Sequence, residues 1–121
     1  MSDCIKHFFE AWEVEDAEVR LAKIQSAVTT AVQYDDPRTS DTLNGIEALT
    51  NYVGMFSANA PGWSAKVVKT DVTSHITRVT VAFGGMGPDG LQQVQLGQYY
   101  VEQDGDLISR MVGFVGTGEP A

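Results

Sequence analysis

The feature that most constrains the fold is a change of hydrophobic pattern at Gly62. Before it, apolar residues recur with the spacing of amphipathic helices, interrupted by one β-branched stretch. After it, segments rich in valine and aromatic residues are separated by glycine-containing turns, the pattern of antiparallel strands. Helices followed by a run of strands predict an α+β fold, with the helices packed on one face of a curved sheet.

Three segments before Gly62 have helical periodicity. Asp16 can cap the second of them, and Asn44 with Glu47 has capping-box spacing before the third. The sequence "NAPG" at 59–62 is expected to end the third helix. The inward positions of the three helices are, in order, Ile5, Phe8, Phe9 and Trp12; Ala17, Leu21, Ile24 and Val28; and Ile46, Leu49, Tyr52, Val53 and Phe56.

Five segments are predicted to be strands. The first is "TTAVQY" at 29–34, which "DDPRTSD" ends. The other four cover 63–74, 75–83, 91–103 and 106–116, with a boundary near Ser74 between the first two of them. The loops "GGMGPDG" and "QDGD" each contain a glycine suited to a hairpin turn.

Composition narrows the function classes. A chain of 121 residues with 43% hydrophobic content predicts one globular domain over 1–121. A formal net charge of −8 argues against nucleic acid or an anionic membrane as a partner. The single cysteine, Cys4, excludes an internal disulfide and favours a cytoplasmic location. Cys4 and His7 share a helix face without a third ligand, so neither a metal nor a cofactor is expected.

Four segments carry a resemblance to a known family: "FFEAWEVED" in the first helix, "YDDP" after the first strand, "NGIEALTNY" in the third helix and "QDGDLI" in the last hairpin. With the order of the elements, they resemble the nuclear-transport-factor-2-like proteins, which include ketosteroid isomerases and SnoaL-like polyketide cyclases. The resemblance implies a cone-shaped sheet that the helices close over an apolar cavity. Because that fold hosts enzymes and binding proteins, it does not fix the function.

Strand alternation predicts which side chains line this cavity. If Asp36 faces inward, Asp35 and Tyr99 face away. The predicted inward strand residues are Val32 and Tyr34; Val79, Val81 and Phe83; Val94, Leu96, Gln98 and Tyr100; and Ile108, Arg110, Val112 and Phe114. The helices are expected to contribute Phe8, Trp12, Tyr52 and Phe56.

Three residues are candidates for a catalytic role: Asp36 and Gln98 from the resemblance, and Arg110 from strand alternation. Asp36 matches the general base of the ketosteroid isomerases, although an aspartate before Pro37 also suits a turn without catalysis. Gln98 takes the position of a protonated aspartate donor, while Phe8 takes that of a tyrosine donor and lacks the hydroxyl. Arg110 is predicted to pair with Asp36 or to clamp an anionic or carbonyl group. A shift of one residue in register would instead leave Arg110 in solvent.

Two functions follow from these observations. The first is a cofactor-independent isomerase, lyase or cyclase that acts on a small apolar carbonyl compound. The alternative is a non-catalytic domain of the same fold that binds a hydrophobic ligand or serves in dimeric assembly. In either case a homodimer through the outer sheet face is expected, because so large an apolar patch is not left in water. The residues predicted for this face are Ile76, Thr80, Ala82, Gly97, Tyr99, Val101, Met111 and Gly113.

Overall fold

The computed structural model describes residues 4–39, 41–59, 62–87 and 89–116. Its helices are α1 (Cys4–Glu10), continued by a 3₁₀ turn (Ala11–Glu13), then α2 (Ala17–Ala27) and α3 (Ile46–Asn59). The strands are β1 (Val28–Asp35), β2 (Leu43–Asn44), β3 (Ser64–Thr73), β4 (Ile76–Met86), β5 (Gln92–Asp104) and β6 (Leu107–Val115). The predicted order of elements is confirmed, and the two-residue strand β2 is an addition to it.

The helix boundaries follow local hydrogen bonding. The Asp16 side chain accepts the N–H groups of Glu18 and Val19, at 2.9 and 3.1 Å, so the predicted cap of α2 is confirmed. The predicted cap of α3 is wrong, because Asn44 lies in β2 and its side chain hydrogen-bonds within that edge of the sheet. Of the predicted stop, Ala60 and Pro61 lie outside the described residues, and Gly62 has a φ of +81°.

Helix α2 buries the face that its apolar spacing predicts only in part, because Ile24 is buried as predicted while Ala17 is exposed. Leu21 is exposed, whereas Arg20, Ile24 and Ala27 are buried. The Arg20 guanidinium donates to the carbonyl oxygens of Val14 and Glu15, at 2.6 and 3.2 Å. A buried arginine thus satisfies the backbone of the α1–α2 connection, and this polar role outweighs hydrophobic periodicity.

The six strands form one curved sheet in the order β2-β1-β6-β5-β4-β3. Strands β3 to β6 make an antiparallel meander, and β1 pairs parallel with β6. Three helices pack on the inner face of this sheet. Within the described ranges, no helix has the length and apolar character needed to span a membrane.

The register of the meander decides which residues face the helices. On β5, Tyr99 lies opposite Val79 of β4 and Gly97 lies opposite Val81. Residues directly opposite in an antiparallel pair share a face, and both valines are fully buried. Tyr99 and Gly97 therefore face inward, and the prediction that Gln98 and Tyr100 do so is wrong.

A bulge at Ser109 moves β6 by one residue. Gln103 pairs with Ile108 and Glu102 with Arg110, so Ser109 has no opposite residue. Its hydroxyl donates to the Glu102 carbonyl oxygen at 3.1 Å. The bulge lets Ile108 and Met111 both reach the core. It also turns Arg110 outward, which corrects the predicted inward orientation of this arginine.

Candidate functional site

The helices and the inner face of the sheet surround an open cavity of about 450 Å³. This volume lies in the range of small-molecule sites. The walls come from the turn after α1, from α3 and from strands β4 to β6, and the segment after β1 forms one edge. The lining residues are Trp12, Asp36, Pro37, Arg38, Tyr52, Met55, Phe56, Asn59, Trp63, Phe83, Gln95, Leu96, Gly97, Tyr99, Phe114 and Val115.

Asp36 contributes a carboxylate to this cavity. Its Oδ2 accepts the hydroxyl groups of Tyr34 and Tyr52, at 2.7 and 2.5 Å. Its Oδ1 accepts the backbone N–H groups of Arg38 and Thr39, at 2.8 and 3.1 Å. The two backbone contacts form a turn of the kind that aspartate favours. A turn role and a position in the cavity therefore occur together in one residue.

A third tyrosine extends this network. The hydroxyl oxygens of Tyr34 and Tyr99 are 3.3 Å apart. Tyr34 has one hydroxyl proton, which it donates to Asp36, so Tyr99 must be the donor to Tyr34. Tyr52 donates to the same carboxylate oxygen from α3. The hydroxyl protons of all three tyrosines are therefore committed to partners inside the network.

Burial raises the pKa of each of these tyrosines above the usual value. For Tyr34 the pKa is raised well above 10.0, first by burial and then by the neighbouring Tyr99 and Asp36. For Tyr52 burial is again the largest cause, followed by the hydrogen bond to Asp36. For Tyr99 burial outweighs the opposing effect of the hydrogen bond to Tyr34. The three phenols thus stay protonated at neutral pH and serve as neutral donors.

Aromatic rings make up much of the cavity wall. The Trp12 ring centroid lies 5.0 Å from that of Phe56, 5.7 Å from Phe83 and 6.2 Å from Tyr52. The corresponding interplanar angles are 68°, 56° and 86°. Because the rings stand at steep angles, they form walls of different orientation and not a single stack. Tyr99 joins them through Phe83, at 6.4 Å.

A glycine on the neighbouring strand leaves space for the Tyr99 ring. Gly113 lies opposite Tyr99, and a Cβ atom at Gly113 would clash with the Tyr99 ring. A glycine at this position therefore permits the close approach of the ring to the backbone of β6. The two glycines of "VGFVG" are unusual in a strand, but the sequence does not show which neighbouring side chain occupies the space that they leave.

Seven of the predicted site residues line the cavity: Trp12, Asp36, Tyr52, Phe56, Phe83, Leu96 and Phe114. Leu96 and Phe114 belong to the outward-facing parity of their strands and are 38% and 52% exposed, so they form its rim. Phe8, Tyr34 and Val81 are fully buried in the core beside the cavity. Tyr34 acts on the cavity through Asp36 and does not line it.

Four predicted site residues lie on the outer face of the sheet. Gln98 pairs with outward Phe114, and Arg110 is exposed. Tyr100 lies opposite Val112 and is 40% exposed, with its ring 5.5 Å from that of Phe114. These positions correct the predicted orientation of all four, because the register described above reverses the parity of β5 and of β6 after Ser109. Arg110 and Gln98 therefore point away from Asp36.

Sequence reasoning missed several lining residues. Tyr99 was predicted to face away, and only the pairing of β4 with β5 corrects this. Trp63, just after Gly62, covers Gly85 and donates from Nε1 to the Met86 carbonyl oxygen at 3.1 Å. Arg38 follows Pro37 at the rim and is exposed. An aromatic residue directly after a helix stop was a usable signal for Trp63, whereas Arg38 had none.

Across 4–39, 41–59, 62–87 and 89–116, no group of three or more His, Cys, Asp or Glu side chains is arranged to hold a metal ion. The Cys4 thiol accepts a hydrogen bond from the Gln103 side chain at 3.3 Å. The polar side chains that line the cavity are those of Asp36, Arg38, Tyr52, Asn59, Gln95 and Tyr99.

Comparison with models of protein families finds no match, and comparison with curated proteins finds none either. Solved structures do match. A proposed isomerase of the SnoaL-like family from Agrobacterium tumefaciens is 22% identical, with a TM-score of 0.79 over 94% of this chain and 95% of that one. A proposed SnoaL-like polyketide cyclase from Jannaschia is 14% identical, with a TM-score of 0.75 over 93% of this chain and 83% of that one.

A third similar structure contains a bound molecule. It is a protein with a ketosteroid isomerase-like fold from Catenulispora acidiphila, in complex with trimethylamine. It is 11% identical, with a TM-score of 0.75 over 93% of this chain and 85% of that one. Identities this low establish the fold and leave the activity open. The chain therefore has the nuclear-transport-factor-2-like fold that its sequence resembles, the fold of SnoaL-like and ketosteroid isomerase-like proteins.

Proposed function

We propose that this protein binds a small organic molecule in the cavity beside Asp36, and that binding without catalysis is its function. One observation carries the proposal: an open cavity of about 450 Å³ whose wall combines aromatic rings with a single, fully hydrogen-bonded carboxylate. Apolar walls with a few fixed polar groups are typical of ligand sites. The complex of the Catenulispora protein with trimethylamine supports small-molecule binding as one use of this fold.

The arrangement of donors favours binding over isomerisation. Stabilising an enolate requires hydrogen-bond donors aimed at its oxygen, and losing one such donor typically costs about 10²–10³ in rate. The hydroxyls of Tyr34, Tyr52 and Tyr99 already donate within the network. Gln98 and Arg110, the donors that the sequence suggests, point to the outer face. To gain a tyrosine donor, an enolate in the cavity would have to break a hydrogen bond of the network. The side chains of Arg38, Asn59 and Gln95 also line the cavity and carry N–H groups.

A catalytic isomerase or cyclase is the second candidate. Asp36 lines the cavity, and two proteins of similar structure are described as an isomerase and a polyketide cyclase. In this hypothesis the carboxylate moves a proton on a carbonyl compound, with a tyrosine released from the network as the donor. Turnover of a bound carbonyl compound that Asp36→Asn abolishes would support catalysis.

The binding proposal is tested by filling the cavity. Val115 lines it and is 59% exposed, so Val115→Trp can place a large ring at the mouth without disturbing the core. Val94 is 63% exposed and does not line the cavity, so Val94→Trp is the matched control. We expect ligand-detected NMR with a set of small neutral and charged organic fragments to give hits for the wild-type protein. Those hits should weaken by more than about tenfold in Val115→Trp and persist in Val94→Trp. Hits that both variants retain would contradict the proposal.

We also propose that the outer sheet face forms a homodimer. The observed register places Leu96, Tyr100, Val112 and Phe114 on this face, and three of them are at least 38% exposed. Tyr99, Val101 and Met111, which were predicted to lie on it, are buried on the inner face. Burying such a patch against a second copy removes apolar surface from water. We expect a dimer in sedimentation velocity at micromolar concentration, and a monomer for Tyr100→Glu. Val72→Glu, at an exposed valine of β3, should remain dimeric. A wild-type monomer would rule the proposal out.

A further inference from the structure

The hydrogen-bond donors and acceptors beside Asp36 indicate which charge a ligand should carry. The carboxylate of Asp36 only accepts hydrogen bonds, and the protons of Tyr34, Tyr52 and Tyr99 are committed to partners. Nε1 of Trp12 has no partner among the described residues, but it is buried, so a ligand in the open cavity does not reach it. Beside Asp36 the network therefore offers acceptor oxygens and no free tyrosine proton, although the amides of Asn59 and Gln95 also line the cavity and can donate.

The aromatic rings of the cavity wall also favour a positively charged ligand. The face of an aromatic ring is electron-rich and attracts cations, most strongly for tryptophan. Trp12, Tyr52, Phe56 and Phe83 all line the cavity. They pack against one another at steep angles with centroid separations of 5.0 to 6.2 Å, which fixes their orientations. Several ring faces together with a carboxylate make the arrangement that recognises alkylammonium groups in proteins. The net charge of −8 adds a long-range attraction for cations.

Arg38 carries a positive charge that opposes the binding of a cation. Among the described lining residues it is the one cationic side chain, and Asp36 is the one anionic side chain. Arg38 is exposed at the rim, so water and salt screen its charge. Asp36 is only partly exposed, and its carboxylate is fixed by four hydrogen bonds. The inner end of the cavity thus keeps a negative potential, and Arg38 weakens it from the mouth.

We infer that the cavity binds a compact organic cation, an alkylammonium group, held by the aromatic rings and the Asp36 carboxylate. This inference rests on the proposed binding function and gives it a ligand class. A quaternary ammonium suits the site because its methyl groups contact apolar rings while its charge faces the carboxylate. It is also weakly hydrated, so leaving water costs it less than a primary amine, whose N–H donors are strongly solvated.

A matched pair of probes separates charge from shape. Choline and its neutral isostere 3,3-dimethylbutan-1-ol differ by one nitrogen in place of carbon. We expect isothermal titration of the full chain to give at least about tenfold tighter binding of choline. Asp36→Asn should weaken choline by about tenfold or more and leave the alcohol nearly unchanged. Asp35→Asn is the control, because it removes the same charge from the adjacent residue, which does not line the cavity. Arg38→Gln should tighten choline binding, since it removes the opposing charge.

The outcomes distinguish this inference from the function on which it rests. Equal or tighter binding of the neutral alcohol would overturn the cation inference and leave small-molecule binding intact. Equal effects of Asp36→Asn and Asp35→Asn on choline binding would also overturn it. The attraction would then come from the net charge of the protein and not from the Asp36 carboxylate in the cavity. If neither probe binds, the cation inference fails, and the fragment experiment with Val115→Trp then decides the binding proposal separately. Circular dichroism of each variant confirms that a loss of affinity is not a loss of fold.

Discussion

Replacing Trp12 with alanine should lower the free energy of unfolding by about 3–5 kcal/mol. Trp12 is 3% exposed, and its ring contacts the rings of Phe8, Phe9, Tyr52, Phe56 and Phe83. Its removal would merge the ligand cavity with a void in the centre of the aromatic core. The surrounding rings belong to separate elements and cannot collapse together without moving the backbone. Such a loss is a large share of the roughly 5–15 kcal/mol that stabilises a typical domain.

The matched control is Trp63→Ala, which removes the other tryptophan of the cavity wall. Trp63 is partly exposed and packs over Gly85, with one hydrogen bond to the Met86 carbonyl oxygen. We expect a cost of roughly 1–2 kcal/mol for this change. Urea unfolding followed by far-ultraviolet circular dichroism measures both variants without relying on tryptophan fluorescence. Equal costs for the two substitutions would contradict the central position of Trp12.

Stability should also fall steeply in alkaline solution. Tyr34 and Tyr99 are 0% and 4% exposed, and burial raises the pKa of both hydroxyls. In the unfolded chain each tyrosine ionises near about pH 10. Above that pH the unfolded state has lost protons that the folded state keeps, so ionisation favours unfolding. Each buried tyrosine then lowers the free energy of unfolding by about 1.4 kcal/mol per pH unit, or about 3 kcal/mol per unit for the two. Tyr52, whose pKa is also raised, adds to this slope.

This stabilisation is fully present below about pH 10 and is lost as the pH rises toward the raised pKa values. Urea unfolding at a series of alkaline pH values measures the slope, and tyrosinate absorbance reports ionisation. We expect the absorbance of the network tyrosines to appear together with the loss of circular dichroism. Tyr34→Phe should reduce the slope by about a third, since it removes one of the three tyrosines whose pKa is raised. Ionisation of all tyrosines near pH 10 in the folded protein would contradict the buried network.

The fold was predictable because its signals are local. The change of pattern at Gly62, the Asp16 cap and the glycine of the "QDGD" turn each depend on a few neighbouring residues, and the structure has helices and strands where they indicate. The short strand β2 and the burial of Arg20 depend on tertiary contacts, which periodicity does not contain. The resemblance to the nuclear-transport-factor-2-like proteins identified the architecture from the element order and four short segments.

The site was less predictable because strand faces depend on register. On β5 the alternation was assigned to the wrong face, so Tyr100 was predicted to face inward where Tyr99 does. On β6 the bulge at Ser109 places Met111 inward where Arg110 was predicted. A slip of one residue moves every side chain of a strand to the other face, and nothing in the β5 sequence marks its inner side. Asp36 was easier to assign, since its position after β1 and before Pro37 is set by the turn that its own side chain forms.

The most direct test is a crystal structure of the protein grown with the tightest-binding fragment from the cavity experiment. We predict that the fragment lies inside the cavity, in contact with the Trp12 ring and beside the Asp36 carboxylate, with the Tyr34 and Tyr52 hydrogen bonds to Asp36 intact. A fragment bound instead on the outer sheet face beside Tyr100, or in the groove between α2 and α3 lined by Leu21 and Ile46, with only water in the cavity, would contradict the proposed function.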